Sequence, residues 1–213
     1  MTEKDLNLQL LFDGVREFNS MDFEEHRELF NKIGRNQNPH TLFIGCSDSR
    51  VVPNLITKAL PGELFVIRNI ANLVPPYRDS EEFLATTSAI EYAVQVLKID
   101  TILICGHSNC GGCNALFLNN EELKHIPHTR KWLELAKNVR NKMNRLKIVD
   151  PAIREWMSEQ LNIVEQMQHL LTYPYIAERY KNGTLKILGW YYIIETGEVF
   201  DYQPELKKFI KIE

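Results

Sequence analysis

An α/β fold, a mostly parallel central β-sheet flanked by helices, is the architecture this sequence predicts, and three observations predict it. Nearly unbroken apolar runs at 41–44, 64–67 and 101–104 read as strands buried on both faces. Segments of helical periodicity alternate with these runs, the order expected of strand–helix–strand units. A chain of 213 residues with 44% hydrophobic content can bury one full core, so a single domain over 1–213 is expected.

In chain order, residues 5–35 carry apolar positions at helical spacing: Leu8, Leu11, Phe12, Val15 and Phe18, then Phe23, Leu29, Phe30 and Ile33. A break falls over 19–22, with Asp22 as N-cap of a second helix. This arm, 1–36, packs on its own domain or on a partner subunit. The polar stretch 34–40 leads into the first strand, which Gly45 turns. Pro53 opens a short helix over 54–60, stopped by Pro61-Gly62. Beyond the second strand, 68–72 and 74–77 are loop. Ser80 is expected to cap a helix whose apolar set is Phe83, Ile90, Ala93, Val94 and Leu97.

After the third strand, Gly106 is read as the turn, and Gly111-Gly112 begin another helix. Thr129 is read as the cap of a helix reaching Leu146. Asp150-Pro151 supplies an N-cap followed by proline at the first helical position. The helix it opens carries Ile153, Trp156, Met157, Leu161, Val164, Met167 and Leu171. Pro174 starts a last helix, which Asn182-Gly183 ends as a C-cap. Residues 185–194 and 199–202, joined by 195–198, read as a C-terminal strand and hairpin.

A net charge of −3 leaves no basic footprint for nucleic acid. No run is long and apolar enough for a bilayer, and the start lacks a signal-peptide core, so a cytoplasmic protein is expected. Four cysteines, at 46, 105, 110 and 113, are too few for a disulfide scaffold and suggest metal or redox chemistry.

The chemistry concentrates after two strands. Cys46-Ser47-Asp48-Ser49-Arg50 follows the first, and His107-Ser108-Asn109-Cys110 follows the third. Carboxyl ends of parallel strands are where open α/β sheets bind ligands. A Cys-x-Asp pair and a His-x-x-Cys pair on two such ends can close on one ion, and thiolate with imidazole suits zinc. Cys46, Cys110 and neutral His107 would make a charge-neutral platform. Asp48 in the fourth position gives a closed structural site; water there gives an open one. Arg50 decides, because a guanidinium can hold that carboxylate in a bidentate pair. Cys110-x-x-Cys113 has a redox spacing, but Cys105, in a strand, and Cys113, at a helix start, read as packing residues. His26, His40, His125, His128 and His169 lack ligand-like neighbours.

The run Cys46-Ser47-Asp48-Ser49-Arg50-Val51, with His107-x-x-Cys110-Gly-Gly, resembles the β-class carbonic anhydrases. The likeness continues through Pro61-Gly62-Glu63, Arg68-Asn69-Ile70-Ala71-Asn72, Ile90-Glu91-Tyr92-Ala93 and Gly189-Trp190. It implies Zn²⁺ on Cys46, His107 and Cys110, with Asp48 added if the site is closed, and an Asp48–Arg50 dyad. It also implies Gln37, nine residues before Cys46, as a donor to the substrate oxygen. Phe65, Ile70 and Tyr92 would be apolar walls, and Gly111 would offer a backbone N–H.

The activity implied is reversible hydration of CO₂ to bicarbonate and a proton via zinc-bound hydroxide. The assembly implied is a homodimer or higher even-numbered homo-oligomer, with the arm wrapping its neighbour. Phe43 stands where regulated members carry a tryptophan beside Arg68 and Tyr192. Val51-Val52-Pro53-Asn54 resembles the plant-like, open-site branch, so an open site without bicarbonate regulation is expected. Two thiolates donate more charge than imidazoles, so activity should rise above neutrality. The alternatives are CS₂ or COS hydrolysis on the same scaffold, a non-catalytic zinc-stabilised binding module, and a thiol oxidoreductase.

Overall fold

The computed structural model describes residues 2–79 and 84–213. The chain forms two compact units, Met1–Asn38 and Pro39–Glu213. In the first, α1 (Glu3–Ser20) opens on a capping box. Thr2 Oγ1 accepts from the Asp5 N–H at 3.2 Å, and Asp5 Oδ2 accepts from the Thr2 N–H at 2.7 Å. Such a cap stabilises a helix by about 1 kcal/mol. The expected break separates α1 from α2 (Asp22–Glu25) and α3 (Arg27–Ile33). Asp22 is the first helical residue rather than the cap, because Met21 occupies that position and no side-chain cap bond forms. Phe18, Phe23 and Phe30 pin the three helices together, their ring centroids 5.2–6.2 Å apart. α1 itself buries no residue; Leu8, Leu11, Phe12 and Val15 are exposed.

The second unit is built on one six-stranded sheet. Its strands are β1 (Thr41–Cys46), β2 (Leu64–Asn69), β3 (Thr101–His107), β4 (Lys186–Tyr192), β5 (Val199–Gln203) and β6 (Lys208–Lys211). The order is β2-β1-β3-β4-β5-β6. The first four are parallel, and β5 and β6 are antiparallel additions, β6 lying beyond the expected hairpin. β1 and β3 are buried along nearly their whole length, which explains their continuous apolar sequence.

Both ligand-bearing strands outrun their apolar cores. Gly45, expected as a turn, pairs with Arg68 and Cys105, and β1 reaches Cys46. Gly106, also expected as a turn, pairs with Tyr191 inside β3. Glycine is needed there because a Cβ would lie 2.7 Å from Ile163 Cγ1 and 2.8 Å from its Cδ1. The missing side chain is what lets the helix carrying Ile163 approach β3.

Between strands run α4 (Pro53–Thr57) and α5 (Ala85–Glu91), the latter continuing into a π-helical stretch, Tyr92–Val96. Ser80 and Phe83, expected at the start of that helix, lie outside the described residues. α6 (Gly111–Asn114) follows the second ligand turn. The helix expected from Thr129 begins earlier, with Pro127 at its first position, and is broken. It forms α7 (Pro127–Leu133), a 3₁₀ turn (Glu134–Ala136) and α8 (Lys137–Leu146). The tightened turn brings Leu133, Ala136, Val139 and Met143 into one cluster with Cys46 and Cys110.

α9 (Pro151–Leu170) starts as expected. Asp150 accepts from the N–H groups of Ala152 (2.8 Å) and Ile153 (3.2 Å), and Pro151 fills the first position. α10 (Pro174–Lys181) ends at Asn182, with Gly183 at φ +71°. Ile163, Met167 and Leu170 of α9 pack with Ile44, Ile102, Ile104 and Tyr173 as the main core.

Gly106→Ala is expected to destabilise the fold by about 1–3 kcal/mol, because Ile163 is fully buried and cannot swing away. A lowered urea midpoint with unchanged slope is the expected readout, and an unchanged midpoint would contradict the close approach.

Candidate metal centre

β1 and β3 are neighbours in parallel register, Gly45 opposite Cys105, so their carboxyl ends emerge side by side. Three contacts shape the turn after β1. Arg68 Nε donates to the Cys46 carbonyl (2.9 Å), its Nη2 donates to the Asp48 carbonyl (2.6 Å), and the Ser47 N–H donates to Asn69 O (2.9 Å). After β3, the Ser108 N–H donates to Tyr192 O at 2.9 Å, and Asn109 takes the left-handed conformation at φ +54°. Cys110 then caps α6.

The result is that Cys46 Sγ, a His107 ring nitrogen and Cys110 Sγ lie within 4.8 Å of one another, all buried. His107 Nδ1 is 2.9 Å from the Ser108 carbonyl, which can only accept, so Nδ1 is the donor and Nε2 carries the lone pair. Nε2 is buried without a hydrogen-bond partner. An orphaned buried acceptor beside two thiols is what an absent soft cation would leave, and the donor set fits zinc.

The ligand side chains also perturb one another. Contact with the Cys110 thiol, together with burial, pushes Cys46 up to about 12. Contact with Cys113 and burial push Cys110 up as well. Burial works against the charged form of His107, yet its contacts with Cys46 and the Ser108 carbonyl outweigh it and raise the imidazole.

Asp48 stands beside this group with Oδ2 4.0 Å from His107 Nε2. Arg50 grips both its oxygens, Nε to Oδ1 at 2.9 Å and Nη2 to Oδ2 at 2.8 Å, and the Arg50 N–H adds a third bond to Oδ1 at 3.0 Å. These bonds hold the carboxyl well below the usual carboxylate range. Arg50 is anchored in turn on the Asn109 carbonyl (3.1 Å). Asn109 Nδ2 donates to Glu195, which also accepts from Ser108 Oγ at 3.0 Å.

Among the other expected site residues, Phe65 and Tyr92 stack with ring centroids 6.1 Å apart. The Ile70 carbonyl accepts from Trp132 Nε1 at 3.0 Å, and Ile70 lines a shallow depression with Ser47, Asn69, His128 and Trp132. Gly111 opens α6 directly after Cys110, exposed, with open space where a Cβ would point. Gln37 belongs to the N-terminal unit, where it is exposed in irregular chain. Cys105 and Cys113 are buried; Cys113 packs in the cluster that holds Cys46 and Cys110, Cys105 in one with Phe43.

Sequence reasoning missed the support from α9. Its expected apolar face included Ile153 and Trp156, each about half exposed. Buried instead are Glu159, Asn162, Gln166 and His169, interleaved with Ile163, Met167 and Leu170. Polar residues recurring at helical spacing on an apolar face were the available signal. Glu159 Oε1 accepts from the Cys110 N–H and Oε2 accepts from the Tyr191 hydroxyl, both at 2.8 Å. Burial pushes its carboxyl up to about 7 against these two bonds.

A family model described as carbonic anhydrase matches residues 41–199. A carbonic anhydrase of Helicobacter pylori strain J99 is 42% identical over 206 residues, covering 95% of this chain and 93% of that protein. One from a Synechocystis species is 38% identical, covering 95% of this chain and 74% of its own. The solved structure of the β-carbonic anhydrase CcaA superposes with a TM-score of 0.92 at 37% identity, covering 97% of this chain and 100% of that one. Tetrameric β-carbonic anhydrases from Sordaria macrospora are similar at a TM-score of 0.77 and 30% identity, over 92% of this chain and 96% of theirs.

Protein purified from zinc-replete cells is expected to carry about one zinc ion per chain, as a three-ligand Cys₂His set requires. Elemental analysis measures this; Cys110→Ser should lose the ion readily to chelator, and wild-type protein holding no metal would contradict the assignment.

Proposed function

The chain belongs to the β-class carbonic anhydrase family, enzymes of reversible CO₂ hydration, and we propose that it works with zinc held by Cys46, His107 and Cys110. The observation that carries this reading is the unpartnered His107 Nε2 among two buried thiols. Bound zinc supplies Lewis acidity that brings the ionisation of water toward the physiological range.

This chain's residues do the rest. The Arg50 pair supports an open site, because a carboxylate held through both oxygens is kept off the fourth metal position. Ionised Asp48 accepts a hydrogen bond from the attacking oxygen and so orients it toward substrate. Phe65, Ile70 and Tyr92 offer an apolar wall for CO₂. The Gly111 N–H, in the first turn of α6, has no partner within its helix and is free to donate.

Absence of bicarbonate regulation is supported by two features. Phe43 is fully buried beside Leu103 and Cys105, and Arg68 is engaged by the Cys46 and Asp48 carbonyls. The exposed leucines and phenylalanines of α1 support a homo-oligomer in which this arm packs on a partner. One domain carrying that arm is the organisation proposed. Among the described residues no helix is long and apolar enough to cross a membrane. Free thiols at the site suit the reducing cytoplasm.

Stopped-flow measurement at about pH 8.5 should show CO₂ hydration that chelator abolishes and zinc restores. The rate should climb with pH through neutrality. Asp48, kept ionised by Arg50, contributes no part of that climb. Metal-replete protein with no turnover would sink the proposal. Arg50→Ala should lower kcat/KM by about 100-fold by freeing the carboxylate to move about 1 Å or more, and Arg50→Lys should not restore it, since an ammonium cannot make the fork.

A further inference from the structure

Helix α9 presents its buried polar residues to main-chain groups in two separate loops. Asn162 Nδ2 donates to Ala71 O at 2.9 Å, Gln166 Oε1 accepts from the Val74 N–H at 2.8 Å, and His169 Nδ1 donates to Val74 O at 2.7 Å. These three hold the loop 70–74, in which Ala71 and Asn72 take positive φ, +62° and +48°, without glycine. The fourth residue, Glu159, reaches the other loop and meets the backbone of Cys110.

We infer that Glu159 is a positioning residue of the metal centre: its carboxyl group fixes the peptide of Cys110, so that Sγ is presented to Cys46 and His107. The inference rests on the zinc reading above and adds to it a group outside the ligand set.

The geometry supports this in three ways. Glu159 is 2% exposed, and both of its oxygens are occupied, one by the Cys110 N–H and the other by Tyr191, a β4 residue paired with Gly106 of β3. A side chain anchored at both ends has little freedom to let Cys110 move. Cys110 sits at φ −79°, ψ 109°, outside helical space, and it follows left-handed Asn109. Its carbonyl accepts from the Asn114 N–H at 2.9 Å at the start of α6, which leaves the N–H side of the residue to Glu159. The remaining ligands are held otherwise, Cys46 by its carbonyl on Arg68 and His107 by its pairing in β3. Of the polar residues on the buried face of α9, only Glu159 is bonded to a ligand residue.

The test compares three variants by zinc competition against a chromophoric chelator and by the sulfur-to-cobalt charge-transfer band of cobalt-substituted protein. Glu159→Ala should weaken metal affinity roughly 10–100-fold, the usual effect of losing an outer support, and should shift the charge-transfer band. Glu159→Gln can accept the Cys110 N–H through Oε1 and donate to Tyr191 through Nε2, so it should restore both. Asn162→Ala, equally buried on the same helix but bonded to the other loop, should lower Tm while leaving affinity and band unchanged.

Equal affinity for Glu159→Ala and wild type, or equal loss in Glu159→Ala and Asn162→Ala, would overturn the positioning role and leave the zinc reading standing. If Glu159→Ala does not fold, failure of Tyr191→Phe, which releases the far end of the carboxylate, to change the band would overturn it instead. Wild-type protein that binds neither metal would overturn both readings.

Discussion

Parallel pairing of β1 with β3 governs everything the site can do. The two strands are joined through a long excursion that includes α4, β2 and α5, yet their carboxyl ends emerge together because the register carries on beyond the apolar residues. Cys46 at one strand end and His107 at the other then need only a short turn to bring in Cys110. A shift of one residue in that register would turn alternate side chains to the opposite face of the sheet and separate the ligands.

Around this pairing, charge is organised in a chain of contacts. Glu195 holds Asn109, the carbonyl of Asn109 holds Arg50, and Arg50 holds Asp48. Each link restrains a group that would otherwise sample several rotamers in water. The acid beside the metal position is thus set by residues drawn from after β1, β3 and β4. Arg68 plays a parallel part for the backbone, spanning the carbonyls of Cys46 and Asp48.

Much of this could be read from residues alone. The buried strands showed as apolar runs, and Asp150-Pro151 announced its helix because cap and first-turn chemistry are local. The ligand triad was visible because cysteine and histidine are chemically conspicuous at strand ends. What escaped depends on packing. The ends of β1 and β3 contain glycine, cysteine and histidine, whose strand conformation comes from neighbours rather than from propensity. Glu159 and its companions recur at helical spacing among apolar residues, but the loops they bond lie far off in sequence. Ala71 and Asn72 carry positive φ without glycine to signal it, and Lys208–Lys211 is too short and charged to stand out as a strand.

The notch at Gly106 has a wider mechanical meaning. Ile163 seats in it, four residues along α9 from Glu159, so the helix is keyed to one axial position against the sheet. Close-packed interiors switch between discrete arrangements and do not deform smoothly. Sliding of α9 would unseat the isoleucine and release Cys110 in the same motion. Heat or denaturant that moves α9 off the sheet would therefore dismantle the centre together with the core.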